Sequence, residues 1–451
     1  MSDRILKITV IGGGAAGFFS AITCAQTYPQ AHVTLLEAGR QVLAKVRISG
    51  GGRCNVTHAC FDPGVLVQNY PRGGKALRGA FTRFQPRDTV EWFASHSVKL
   101  KTEEDGRMFP VTDDSATIVN CLIRAAEDAG VKIRTGDAVV SVKKLTSEGG
   151  HGGTAPTEDS FPGSTWERIS RGSASTVTNT ADKLSISSPN PVFEIELKSG
   201  DKLQCDRLIL ATGSNPSGFK WAKDLGHTIE PPVPSLFTFN VADRRIQDLA
   251  GVSVANAKVK LPGAKLEQAG PLLITHWGFS GPAVLKLSAW GARFLHDRHY
   301  QTPVLINWLP QYNSEVLRQQ LLGVKSQLSH RLIVSSCPVP IPRRLWERLT
   351  SSIGIDEQKR WADLSNKMLD QLLQELVQGE YQIAGKGAFK EEFVTCGGVN
   401  LKEVDFKTME SRRCPGLYFA GEVLDIDGVT GGFNFQSAWT TAWLAGIAIG
   451  K

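Results

Sequence analysis

The chain has 451 residues, enough for two or three domains, with 41% hydrophobic and 21% charged residues and a formal net charge of +7. This balance is ordinary for a globular protein. Arg and Lys are interspersed with Asp and Glu, so no basic stripe announces a nucleic-acid partner, and no apolar run is long enough to span a membrane. The eight Cys are scattered, without C-x-x-C and without His at zinc spacing, so they read as reduced, mostly buried thiols and no metal site is expected. Met1 leads almost at once into an apolar segment, which leaves no room for a signal peptide and predicts a cytoplasmic protein.

The first element is a β-branched run (Ile5, Ile8, Val10, Ile11) ending in Gly12, Gly14 and Gly17, a G-x-G-x-x-G turn. Gly12 permits the tight turn, Gly14 lets backbone approach a pyrophosphate, and Gly17 lets the helix opened by Ala15 and Ala16 lie on the sheet. The free N–H groups and positive dipole end of that helix face phosphate. A second strand, 33–36, ends on Glu37 and Ala38, where an acid accepts hydrogen bonds from an adenosine ribose and repels a 2′-phosphate; NADP is therefore not the ligand of this turn. Lys45 then precedes Ser49-Gly50-Gly51-Gly52-Arg53-Cys54-Asn55, a loop rich in backbone donors that suits close packing against a polar cofactor.

Helices are expected over 86–94 and over 115–130, the latter capped by Asp114 or Ser115 and stopped by Gly130. Short strands follow at 131–133 and 139–142. Residues 146–191, rich in Gly, Ser, Thr and Pro, read as a long flexible loop inserted into a meander whose hairpin resumes at 193–205. The strand 207–210 ends in Ala211-Thr212-Gly213, a second dinucleotide-fold mark. A proline-rich crossover at 225–234 predicts a domain boundary. Strands are expected from 235 to 310, interrupted by Thr275-His-Trp-Gly-Phe-Ser-Gly-Pro282 and a helix over 283–295, and helices over 313–379 with caps at Asn313 or Ser314 and at Ser365. The chain re-enters the first domain near 393. There a strand runs into Gly421-Glu422, and the Gly431-Gly432-Phe433-Asn434 turn opens a final apolar helix carrying Trp439 and Trp443 on one face.

The order of these pieces favours FAD over NAD. The first turn holds ADP, Glu422 brings an acid toward the ribityl or pyrophosphate region, and the last helix aims its partially positive N-terminus at the flavin ring. Together with Ile48-Ser-Gly-Gly-Gly-Arg-Cys-Asn55, Thr275-His-Trp-Gly-Phe-Ser-Gly-Pro282, Phe393-Val-Thr-Cys-Gly-Gly-Val399 and Gly416-Leu-Tyr-Phe-Ala-Gly-Glu-Val-Leu-Asp-Ile-Asp-Gly428, the chain resembles the HI0933-like family of NAD(P)/FAD-dependent oxidoreductases. The resemblance implies an α/β fold: a Rossmann-type FAD domain in two parts (1–230 and 386–451), interrupted by a β-rich insert (231–312) and a helical subdomain (313–385). It implies FAD binding through the glycine turn, Glu37, the 49–55 loop, Thr212, Gly213, Glu422 and the 431–434 turn. Val139 stands where flavoproteins commonly give adenine a backbone contact. The stretch after Gly213 is shorter than the family's usual one, and the 146–191 loop is longer.

Hydride chemistry belongs to the flavin, so the protein has to orient substrate and supply a proton. His276 is the candidate for that acid or orienting group; a structural His is the competing reading. Arg53 is assigned to the cofactor, Cys54 to packing, and Arg343-Arg344 to a solvated helix face. The expected activity is hydride transfer between NAD(P)H and a small hydrophobic or conjugated molecule, without nucleic acid or membrane. The alternatives are a tRNA-modifying flavoprotein and a flavin-binding protein without turnover. Oligomeric state is left open.

Overall fold

A computed structural model describes residues 5–145, 193–387 and 394–451; the flexible loop expected at 146–191 falls outside them. Two hydrophobic cores organise the chain, one around a parallel sheet and one inside an antiparallel sheet with a helical annex.

In the first, five parallel strands run in the order Leu417–Phe419, Arg207–Leu210, Lys7–Ile11, His32–Glu37 and Lys132–Thr135, with two short antiparallel strands extending the Leu417 edge. The register aligns Ile11 with both Leu36 and Leu210, and Leu210 with Phe419. Gly12, Glu37, Ala211 and Ala420 therefore emerge side by side at the carboxyl edge, where open α/β sheets bind their ligands. The sheet strands are continuous apolar runs because helices cover them, as parallel sheets require. The Ala15–Thr27 helix is buried over eleven of its thirteen residues. It packs along Phe433–Ala448, which is apolar on all sides because it too lies in the interior. The Phe19 and Trp439 rings are 5.4 Å apart, and a Cβ on Gly446 would sit 2.5 Å from the Thr23 side chain.

The predicted helices appear as Pro86–Ser95 and Ser115–Asp128, the second with Asp114 accepting from the Ala116 N–H at 2.8 Å. The predicted hairpin forms a three-stranded meander of Val139–Lys144, Phe193–Leu197 and Lys202–Cys205. The segment read as a proline-rich crossover is instead a strand, Ile229–Ser235, paired antiparallel with Val394–Val399. The prolines are tolerated because the register shifts between Glu230 and Val233, so Pro231 and Pro232 owe no ladder hydrogen bond. This two-stranded ribbon carries the chain out of the parallel sheet and back.

Beyond the ribbon, seven antiparallel strands pair in an order that begins with Gly379–Ile383 and ends with Gly385–Lys386. These terminal strands are adjacent in the chain, which curls the sheet toward a barrel. The helix expected at 283–295 is split at Gly291 into Pro282–Trp290 and Ala292–Asp297, with Gly281 as the first cap. The annex consists of Ser314–Gln327, Arg343–Ser352 and Asn366–Gln378, capped by Asn313 and Ser365 at the first and last. No described helix is long and apolar enough to cross a membrane.

Candidate flavin site

The glycine turn is built by close approach of backbone. A Cβ on Gly12 would lie 2.4 Å from the Ala211 carbonyl oxygen, and one on Gly17 would lie 1.8 Å from the Gly12 oxygen. Gly12 also needs its φ of +114°. Gly14 differs: no atom lies within 4 Å of where its Cβ would be, so its missing side chain leaves open space at the start of the helix. Glu37 stands over this turn, its Oε2 accepting from the Gly13 N–H and its Oε1 from the Gly39 N–H, both at 2.7 Å. Each carboxylate oxygen keeps a further lone pair for a ribose hydroxyl. Ala38 is exposed just beyond it.

Along the same edge, four distant segments meet at Glu422. Its Oε2 receives the Lys45 ammonium at 2.6 Å, and its Oε1 accepts from the Thr395 N–H at 3.0 Å. Gly213 adjoins the same carboxylate, and Lys45 Nζ also lies 3.4 Å from the Ser214 hydroxyl. The Gly421 N–H donates to Thr441 Oγ1 at 2.9 Å, and Gly421 crowds Ala16. Thr212 Oγ1 is buried with no partner.

The 49–55 loop and the 431–434 turn form the far wall. Gly50, Gly51 and Gly52 are all left-handed (φ +58°, +69° and +86°), a backbone that glycine adopts without strain. The Asn55 amide ties this loop to the turn, accepting from the Gly432 N–H at 2.9 Å and donating to the Thr57 carbonyl at 3.0 Å. Phe433 is fixed from both sides: Tyr70 Oη donates to its carbonyl at 2.6 Å, and the His58 ring stacks on its ring at 4.7 Å. The Asn434 side chain closes the Gly428 N–H and C=O. A buried ion pair holds the outer side. Arg72 reaches both oxygens of Asp427, which also accepts from Ser235 Oγ at 2.7 Å, while Arg72 Nη1 donates to the Ala289 carbonyl at 2.7 Å. Burial pushes the Asp427 carboxyl above its usual range, against the pull of Arg72.

His58 has an assignable tautomer. Nε2 lies 3.1 Å from the Asp105 carbonyl, which only accepts, so Nε2 carries the hydrogen and Nδ1 the lone pair. That Nδ1 is buried without a partner. Burial, aided by the Lys286 charge, lowers the imidazole below its ordinary value. The wall thus contains a neutral imidazole whose acceptor nitrogen is buried and unmet by protein.

Arg53 is engaged elsewhere. Its guanidinium pairs with Glu103 at 2.6 Å and lies 4.0 Å over the Phe109 ring. Cys54 is buried at φ +61°, its thiol pushed up to about 12 by burial, so it is not a thiolate near neutral pH. Val139 begins the meander, half-buried. His276 is exposed on the turn between Leu266–Ile274 and Gly278–Ser280; among the described residues no hydrogen bond joins it to the flavin-site segments. Sequence reasoning misses His58, Tyr70, Arg72 and Asp427. No group of three or more metal-ligating side chains occurs among the described residues.

These residues fit a dinucleotide carrying a ring. An open space lies at a helix N-terminus, a second helix N-terminus stands at the far wall, and two orphaned polar atoms lie along the edge between them. The comparisons agree. Residues 6–158 match the HI0933-like protein Rossmann domain and residues 233–394 the HI0933-like protein barrel and H2TH domain. A ribosomal RNA dihydrouridine synthase of Escherichia coli is 30% identical, covering 96% of this chain and 95% of that protein. A 3-dehydro-bile acid delta(4,6)-reductase of Clostridium scindens is 28% identical, covering 98% of both. Among solved structures, a 3-ketosteroid-delta4-(5alpha)-dehydrogenase of Rhodococcus jostii aligns over 100% of this chain and 98% of its own, at 12% identity and a TM-score of 0.49. The chain belongs to the HI0933-like family of flavin-dependent oxidoreductases.

Proposed function

We propose that the protein uses FAD to reduce a carbon–carbon double bond conjugated to a carbonyl, with NAD(P)H as electron donor. The observation that carries this reading is the wall where Gly50–52, Asn55, His58 and the 431–434 turn meet. It brings glycine backbone and the N-terminus of the last helix together on one side of the site, where a flat, hydrogen-bonding ring system would lie. The two relatives act on different molecules, yet their names describe one bond change. Forming dihydrouridine saturates the uracil double bond beside its carbonyl, and a delta(4,6)-reductase saturates double bonds in line with a steroid 3-oxo group.

On this reading Gly12 to Gly17 hold the pyrophosphate, Glu37 the adenosine ribose, Lys45 and Glu422 the ribityl–pyrophosphate side, and Ser49 to Asn55 with Gly431 to Asn434 the ring. The cofactor would supply the hydride chemistry: once reduced by NAD(P)H, it would pass a hydride to the carbon distal to the carbonyl and return to the oxidised state. The protein's part is to exclude water, orient the ring and deliver a proton to the neighbouring carbon. His58 is unsuited to that delivery, because its hydrogen is committed to Asp105 and its free nitrogen accepts. His276 is the proposed donor, and His276→Ala should lower turnover at least tenfold with flavin content unchanged. Equal turnover would remove it from the mechanism.

Anaerobic titration of the flavin-loaded protein with NADH and with NADPH tests the donor; bleaching of the visible flavin bands by one of them is expected, and persistence of the bands with both sinks that part. Reduced enzyme is then offered an enone or a uridine-containing RNA, and loss of the conjugated ultraviolet band reports saturation. A uracil base in RNA is the second substrate reading, favoured by the E. coli relative and by a run of exposed bases beside the far wall.

A further inference from the structure

Whole-chain charge hides a local asymmetry. Between Asp62 and Asp88 the sequence contains no acid and five bases, Arg72, Lys75, Arg78, Arg83 and Arg87. Arg72 is consumed by Asp427. The other four are exposed, and none forms an ion pair among the described residues. This contrasts with the annex helices, where Arg318, Arg343 and Arg348 each meet a carboxylate. Lys75 and Arg78 lie on the solvent side of Gly74–Phe81, whose Leu77, Ala80 and Phe81 face the core. Arg83 lies over Trp443 and reaches the carbonyl of Lys407, another exposed base. Arg87 lies over Phe61, which is 40% exposed.

This surface is tied to the flavin site at two points. Tyr70 holds the Phe433 carbonyl, and Gly73 packs on Ile426, immediately before the Gly74–Phe81 helix begins. His58 stacks on Phe433 three residues before Phe61. Four cations without ion pairs among the described residues, two of them over aromatic rings, starting at the wall of a site for planar rings, match a sugar–phosphate chain whose bases stack.

We propose that Lys75, Arg78, Arg83 and Arg87, with Phe61, form a docking surface for the backbone of an RNA whose uracil is reduced at the flavin site. The proposal rests on the second substrate reading above. Removing one cation that neutralises a phosphate should flatten the log–log salt dependence of binding by about 0.7 for a single strand.

The test uses flavin-loaded protein and a fluorescein-labelled, uridine-containing RNA hairpin followed by anisotropy at several salt concentrations. Lys75→Glu/Arg78→Glu/Arg87→Glu should bind at least tenfold more weakly, with a salt slope smaller by about 2 and an unchanged flavin spectrum. A control with the same change in charge, Lys260→Glu/Lys265→Glu/Lys367→Glu on the barrel and annex, should bind as the parent does. Equal weakening in both variants, no binding by the parent, or parent binding to phosphatidylserine vesicles in place of RNA would each overturn the proposal. The two readings fail separately. Reduction of a free enone with RNA binding untouched by the triple variant removes the docking surface alone. Weakened RNA binding by the triple variant, in a protein that saturates no double bond, removes the reductase reading alone.

Discussion

The glycine-rich turns at 12–17 and at 275–282 both launch helices, and they use glycine for different ends. At 278 and 281 the missing side chains are filled by protein: a Cβ would stand 2.3 Å from the Phe239 carbonyl and 2.8 Å from the Pro271 carbonyl. The same is true of Gly12 and Gly17, but Gly14 opens on nothing. Within these two turns, Gly14 is the position whose absent side chain leaves space for a ligand, and the others record how closely two stretches of backbone approach. The surroundings of the two turns differ as well. The first turn is surrounded by carboxylate, ammonium and backbone donors, whereas the second displays His276 and a 68% exposed Trp277 at the rim of the barrel.

Substitutions at the two turns sharpen the contrast. Gly17→Ala has the largest expected effect, because the new methyl would overlap the Gly12 carbonyl. A loss of about 3 kcal/mol or more, read as lower soluble yield and melting temperature, is expected with or without flavin. Gly281→Ala meets both a crowded carbonyl and a φ of +93°. It should cost about 1–3 kcal/mol in chemical denaturation while leaving flavin content per folded molecule unchanged; a selective loss of flavin would erase the distinction between the turns. Gly14→Val inverts that pattern. Its backbone is extended (φ −89°, ψ −171°), which a β-branched residue accepts. The apoprotein should melt as the parent does, while FAD affinity falls at least tenfold, about 1.4 kcal/mol. A variant that retains full flavin would move the pyrophosphate away from this turn.

The smallest effect is one of pH. Burial holds His58 and His227 below the ordinary imidazole value. The unfolded chain therefore takes up their protons first, so their contribution is full above about pH 6.5 and declines as pH falls through that value. His227→Gln should flatten the corresponding fall in melting temperature between neutral and mildly acidic buffer. Comparing it with the parent cancels the carboxyls, Asp425 and Asp427, whose upward displacement acts in the opposite sense. An unchanged profile would show that His227 is not the group responsible.

The first turn is legible in the sequence because its physics is local: spacing along a strand, a turn and a helix is written within a few residues, as are the caps at Asp114, Asn313 and Ser365. The parallel sheet follows from three apolar strands each ending in small or acidic residues. The far wall is half legible. Gly50–52 and Gly431–432 announce unusual backbone, but that His58 stacks on Phe433, or that Arg72 finds Asp427, depends on residues more than three hundred and fifty positions apart with no periodic signal between them. The ion pairs of Arg53 are not legible because its partners, Glu103 and Asp113, come from two turns whose proximity no local pattern records. That Pro231 and Pro232 lie within a strand is not legible, because a bulge that excuses prolines from a ladder leaves no mark of its own.

The Arg72–Asp427–Ser235 clasp has a consequence for how the molecule is made. Two of its members, like the helix pair Ala15–Thr27 and Phe433–Ala448, come from opposite ends of the described chain, with the barrel and annex synthesised in between. At about 5–20 residues per second, the first strands and the glycine turn wait on the order of a minute before the closing strand, the buried carboxylate and the last helix leave the ribosome. The barrel can complete its own core during that delay, while the flavin half cannot. Cofactor capture is thereby a late event in biogenesis, and an interrupted nascent chain would carry the fingerprint of a dinucleotide site without the far wall that holds the ring.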